Sequence, residues 1–310
     1  MDNCSRVTEF ILMGFIDTWE LRLLQSLLFL MMYLTTLIGN ILIVTTTTLD
    51  QKLHTPMYFF LRNLSLVDMC YISVTVPNAC VSSLTDNKAI SVAGCASQIF
   101  LVIYCAYVEL LFLTIMAHDR YVAICQPLHY PVIMNHGFCV WTTLASLLTG
   151  FIYAGVHTGY TFRLSFCQSN VVHQFFCDVP SLLRISCSDT FSNELVSFIT
   201  IMGVGGSCII FIIISYIHIF STVLKFSTRE RRKAFSTCIP HIIVVSVFLS
   251  SGSYVYLKPS VTSETIQDMI FSVFYAIVPP LLNPIIYSLR NKQIKDAVRK
   301  VILRQFYSEK

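Results

Sequence analysis

Charge is what this sequence has least of. Of 310 residues only 12% are Asp, Glu, Lys or Arg, and 55% are apolar, against roughly 25% charged in ordinary soluble domains. Its 21 basic and 17 acidic side chains are too few to cover the surface of a soluble protein this long. Disorder, a coiled coil and a nucleic-acid-binding array are excluded by the same scarcity. The first 20 residues lack the continuous apolar core of a cleavable signal peptide, so the first span is expected to act as its own uncleaved targeting signal. No C-x-x-C or H-x-x-x-H spacing supports zinc. There is no internal repeat of the kind transporters carry, and no paired constellation of a membrane-embedded protease. An enzyme is not expected.

What is present is a series of long apolar stretches at about 22–48, 56–83, 93–125, 139–160, 193–224, 235–257 and 266–289. Each suits a helix crossing a bilayer, which needs roughly 20 mostly apolar residues. Runs such as Ile209–Ile214 and Ile242–Leu249 do not alternate, so helices are favoured over the strands of a barrel. The expected fold is an all-α bundle of seven spans over 22–290. An N-terminal segment, 1–21, precedes it, a long loop occupies 161–192, and a tail follows at 291–310.

Basic residues set the orientation. With the N-terminus outside, Arg6, Arg22, Lys88, Arg163, Arg184 and Lys258 face outward and the other 15 of the 21 face inward. The expected topology is N-terminus outside, C-terminus inside. Asn3-Cys4-Ser5 is a glycosylation sequon that this topology would expose. The tail pattern over 291–304, with Ile294, Val298, Val301 and Ile302 among Lys and Arg, suggests an amphipathic helix lying on anionic lipid.

Twelve cysteines divide by position. Seven lie in spans or at their inner ends, where a buried thiol is ordinary. Cys95, Cys167, Cys177 and Cys187 face outward, which suggests two disulfides in any of three pairings. Polar residues interrupt the spans at Asn40, Asp68, Glu109, Arg120 and Asn283. Such groups are costly against lipid and are expected to point into the bundle. Asp68 and Glu109 are two acids in low dielectric, so either one is protonated or a cation lies between them.

MAHDRYVAIC (116–125) and PPLLNPIIYSLRN (279–291) resemble the motifs of rhodopsin-like, class A G-protein-coupled receptors. PMYFFLRNLSLVD (56–68), Gly39-Asn40, Ser215-Tyr216 and KAFSTC (233–238) narrow the resemblance to the olfactory receptors. It runs from about Thr8 to Asn291. Two positions depart from the family pattern, His118 in place of Tyr and Pro240 in place of Ser.

The resemblance implies a receptor that binds an odorant and activates a stimulatory olfactory-type heterotrimeric G protein at the plasma membrane, raising cyclic AMP. Asp119, Arg120, Tyr121, Tyr216, Asn283, Pro284 and Tyr287 would form its coupling and activation switch. Asp119 and Arg120 are expected as a charged pair, and Asp68 with Glu109 as a sodium pocket. Cys95–Cys177 and Cys167–Cys187 would be the disulfides. Eighteen residues back from Arg120, about five helical turns, Val102 stands where amine receptors carry Asp. The expected ligand is therefore small and mainly apolar. Its contacts would be Val102, Ile103, Ala106 and Tyr107, then Thr200 and Val204, Phe248, Gly252 and Tyr256, and Val273. No cofactor is implied beyond that sodium ion. An attachment role of the outer loops, independent of signalling, stays open.

Overall fold

The structure is a computed structural model that describes residues 7–13, 18–85, 88–166, 170–257, 266–290 and 293–299, with backbone alone at 253–257, 266, 268–269 and 288–290. Its helices are α1 (Trp19–Leu49), α2 (Pro56–Leu84), α3 (Val92–Cys125), α4 (Tyr130–Ile133), α5 (His136–Thr161), α6 (Val179–Arg184), α7 (Phe191–Thr200), α8 (Gly206–Val223), α9 (Thr228–Leu257) and α10 (Ile266–Arg290). A π-helical turn, Ile201–Gly205, joins α7 to α8 into one continuous rod. Among the described residues, seven helical segments are long and apolar enough to cross a membrane, at the expected places: α1, α2, α3, α5, α7–α8, α9 and α10.

Local chemistry explains the helix starts. Pro56 opens α2, where its missing N–H costs nothing. Ser91 caps α3 by accepting from Gly94 N at 3.1 Å, and Asn135 caps α5 by accepting from Phe138 N at 2.8 Å. Several threonine hydroxyls inside the spans are satisfied within their own helix. In α1, Thr46, Thr47 and Thr48 donate to the carbonyls of Leu42, Ile43 and Val44 at 2.7 Å.

α3 is the central rod, in contact with α2, α5, α8 and α9. Half of its most apolar stretch is buried, against 11% for the fifth span. Large apolar side chains left outside, such as Leu24, Met31 and Ile38 of α1 and Leu148, Phe151 and Ile152 of α5, form the surface a lipid would cover.

A small sheet accompanies the expected bundle of helices. Residues Glu9–Leu12 (β1) pair antiparallel with Ala89–Ser91 (β2), Phe10 opposite Ile90, and parallel with Val171–Val172 (β3), Ile11 opposite Val171. This small sheet lies at one end of the bundle and draws the N-terminal segment onto the loops. Phe10 is fully buried, its ring edge-on to Phe166 at 5.3 Å. The strands are two to four residues long, too short for a period to show in sequence. α6 is a second element inside the long loop, capped by Asp178, which accepts from Ser181 N at 3.2 Å.

Candidate functional site

Three groups of polar side chains run along the bundle axis. The middle group is set by the prolines of α10. Pro284 has no N–H to offer the carbonyl four residues earlier, and that carbonyl, of Pro280, instead accepts from Asn40 Nδ2 at 3.2 Å. A Cβ on Gly39 would sit 3.1 Å from the Pro284 ring, so the Gly39-Asn40 pair both admits the proline and repairs its missing bond. One residue before Pro284, Asn283 Nδ2 donates to Asp68 Oδ2 at 2.9 Å and to Glu109 Oε1 at 3.1 Å. Both acids are fully buried. Asp68 Oδ1, Glu109 Oε2 and Asn283 Oδ1 are buried without a partner. Among the described residues no three His, Cys, Asp or Glu side chains gather as a metal cluster. The pocket is two acids and an amide.

The second group sits at the Arg120 end. Arg120, 4% exposed, donates from Nη1 to Met116 O of its own helix at 3.1 Å and from Nε to Thr237 O of α9 at 3.2 Å. Asp119 instead accepts at Oδ1 from Tyr130 Oη at 2.7 Å. Adjacent residues on a helix do not face each other, and here the Asp119 carboxylate takes its hydrogen bond from Tyr130 while its charge acts on the neighbouring Arg120. Burial, and then the neighbouring carboxylate, push the Tyr130 phenol above its ordinary range, so it stays a donor.

His241 of α9 is fully buried between Leu113 O, 3.0 Å from Nε2, and Tyr216 Oη, 2.8 Å from Nδ1. A carbonyl only accepts, so Nε2 carries the proton and Nδ1 accepts from Tyr216. Arg120 and His241 therefore both tie α9 to α3. Tyr287 is buried with its hydroxyl beside Arg120. Tyr121 accepts at its hydroxyl from Gln126 Nε2 at 3.2 Å and its ring lies against His118 and His218.

The third group lies at the opposite, disulfide end. Cys95 at the start of α3 is bonded to Cys177 of the long loop, 82 residues away. Gln98 fastens the same junction, accepting from Cys177 N at 2.8 Å and donating to Val74 O at 2.9 Å. Phe175 and Phe176, both buried, contact Phe29 of α1 and Tyr275 of α10. Cys187 is disulfide-bonded; Cys167 and Asn3 lie outside the described residues, as does the Tyr256 side chain.

The expected ligand contacts divide into two neighbourhoods. Val102 is buried in the main core, with Phe248 and Val273 packed against it. Ile103 belongs to a separate cluster beneath the disulfide. Ala106, Val204 and Gly252 are half-buried. Tyr107 and Thr200 meet through Tyr153 of α5: the Tyr107 and Tyr153 rings stack at 4.5 Å, and Tyr153 Oη lies 3.4 Å from Thr200 Oγ1.

Sequence reasoning passed over Tyr130, Gln98, Tyr153 and the bonds of His241. None of the four stands in a stretch whose spacing alone announces a partner.

A bundle of seven spanning helices, with a loop stapled to the third and polar groups threaded down its axis, is a seven-helix membrane protein of the rhodopsin fold. The crystal structure of squid rhodopsin superposes with a TM-score of 0.72 over 92% of this chain and 86% of that one, at 19% identity, a likeness of fold. A family model described as Olfactory receptor matches residues 29–305. Human Olfactory receptor 14C36 is 66% identical over 310 residues, covering 100% of this chain and 99% of its own length. Human Olfactory receptor 14A16 is 52% identical over 303 residues, 97% of this chain and 98% of its own. The chain belongs to the olfactory receptor family of class A G-protein-coupled receptors. It is a multi-pass membrane receptor that signals from a small-molecule ligand to a G protein, and not an enzyme.

Proposed function

We propose that this receptor, at the plasma membrane, binds a small, mainly apolar odorant between spans three, five, six and seven and activates a stimulatory olfactory-type G protein, raising cyclic AMP. One observation carries the switching part of this reading: Arg120 and His241 both bond α9 to carbonyls or side chains across the bundle, at Thr237 O and Leu113 O. In this reading the structure is the resting state. Odorant binding favours a state in which α9 swings away, those bonds break, and Arg120 becomes available in the cleft that receives the G protein's C-terminal helix. An odorant moves the equilibrium only by its differential affinity for the two states. Asp119, Tyr121, Tyr216, Asn283, Pro284 and Tyr287 act with Arg120 in that switch. The N-terminus, with Asn3 glycosylated, is outside, and the Cys95–Cys177 and Cys167–Cys187 staples restrict the entrance. The pocket is lined by Val102, Ile103, Ala106, Tyr107, Thr200, Val204, Phe248, Gly252, Tyr256 and Val273.

A sodium ion fits the middle group in this reading. Hard cations take oxygen ligands, and the three unpartnered oxygens of Asp68, Glu109 and Asn283 are of that kind. When bound, the ion would supply the positive charge that two buried carboxylates otherwise lack. Purified receptor should then melt higher in sodium than in an equal concentration of a bulky organic cation. Equal melting in the two salts argues for a shared proton instead.

The direct test of coupling uses an odorant panel on cells expressing the chain, with cyclic AMP as the readout. Arg120→Ala at matched surface level should abolish the odorant-dependent rise. A full response from that variant would remove Arg120 from the switch.

A further inference from the structure

We propose that the odorant pocket has a polar end supplied by span four, a subsite of Tyr107, Tyr153, His157 and Thr200 that takes the carbonyl oxygen of an otherwise apolar odorant. This rests on the odorant-binding reading above and adds to it a ligand class and two residues, Tyr153 and His157, that family motifs do not mark.

Thr200 is the focus of the cluster. Its Oγ1 lies 2.8 Å from Val196 O, 3.0 Å from His157 Nε2 and 3.4 Å from Tyr153 Oη. A hydroxyl has one proton and two lone pairs. The Val196 carbonyl can only accept, so it takes that proton. Thr200 then accepts from His157 Nε2–H and from Tyr153 O–H. His157 is 8% exposed and its ring lies 4.3 Å from that of Tyr153, which holds both donors against the same oxygen.

Donors are in excess here. Tyr107, Tyr153 and His157 each bring one, and Thr200 is the one side-chain acceptor they share among the described residues. The Tyr153 bond, at 3.4 Å, is long for an O–H donor. The Tyr107 hydroxyl makes no hydrogen bond to a described residue, although its ring is stacked on Tyr153. A site with one unused and one weakly used phenol O–H can donate to an acceptor oxygen of a ligand.

The surroundings are apolar and tightly built. Tyr153 packs on the cluster of Ile99, Ile103 and Ala154, so the polar end adjoins the Ile103 wall. Gly150 lets span four approach: a Cβ there would meet Val108 Cγ2 at 2.7 Å and Tyr107 Cδ1 at 3.3 Å. An independent sign comes from the backbone. The π turn Ile201–Gly205 begins at the residue after Thr200, and π turns in helices occur frequently at functional sites.

The test uses purified receptor and matched probes: straight-chain aldehydes and methyl ketones against terminal alkenes of the same length, read by thermal stabilisation. The carbonyl probes should stabilise more than the alkenes. Tyr107→Phe, which loses no hydrogen bond to a described residue, should weaken the carbonyl probes about tenfold, the size of one good hydrogen bond. Tyr153→Phe should do the same, and both variants should leave the alkenes unchanged. Equal stabilisation by alkenes and carbonyls, stabilisation by neither, or a carbonyl preference that survives the double Phe variant would overturn the subsite and leave a packing network between spans. Cyclic AMP separates the two proposals. Alkenes that signal as well as carbonyls would keep the receptor reading and remove the subsite. A carbonyl preference in stabilisation with no cyclic AMP response would do the reverse.

Discussion

The two ends of this bundle are held together in opposite ways. At the Arg120 end the bonds run between helices that part in the proposed switch: Arg120 to Thr237 O and His241 to Leu113 O. At the disulfide end they are covalent or woven: Cys95–Cys177, the two bonds of Gln98, and a three-stranded sheet. Hydrogen bonds of the first kind contribute about 1 kcal/mol each and can be exchanged. A bond closing a loop of 82 residues contributes about 4–5 kcal/mol by loop entropy and cannot. In the proposed switch the first end moves and the second stays.

Breaking the fixed end should have the largest effect. Cys177→Ala should remove surface receptor and odorant response together, scored by flow cytometry on intact cells. Normal surface levels and signalling would mean that the rigid end is not rigidified by this bond. Next comes the strand that the loops hold. Phe10→Ala empties a fully buried site, with a cost of about 3 kcal/mol for a large aromatic, and should lower the melting temperature of purified receptor. An unchanged melt would show that β1 adds nothing to the disulfide end.

Smaller effects are expected at the movable end. Tyr130→Phe deletes a hydrogen bond to the Asp119 carboxylate, worth about 1.5–3 kcal/mol, and should alter basal cyclic AMP with little loss of surface level. Asn40→Ala leaves the Pro280 carbonyl without its donor, at about 1–3 kcal/mol. A measurable drop in melting temperature is expected, and none would mean that the carbonyl is repaired in another way.

The same contrast governs how much could be read in advance. All seven spans were legible, because a bilayer demands long apolar runs that no soluble helix needs. The buried positions of Asn40, Asp68, Glu109, Arg120 and Asn283 followed from the cost of facing lipid. The partners did not follow. Nothing in a run of residues tells that Asp119 accepts from Tyr130, since that depends on where the connecting loop carries α4. The sheet was invisible because its three strands come from segments far apart in sequence, each too short to show a period. The ligand contacts were the least legible of all. Val102 and Ile103 are neighbours in sequence yet lie in different clusters, and Tyr153 and His157 belong to a span whose pattern is plainly apolar.

In the proposed switch the bonds from α9 to the rest of the bundle hold the receptor at rest. Basal cyclic AMP of His241→Phe, normalised to surface receptor, tests it most directly. Phe keeps the ring's bulk and deletes both bonds, so basal signalling should rise several-fold, as the loss of one or two hydrogen bonds implies. Basal signalling equal to or below that of the unaltered receptor, with the odorant response intact, would contradict it.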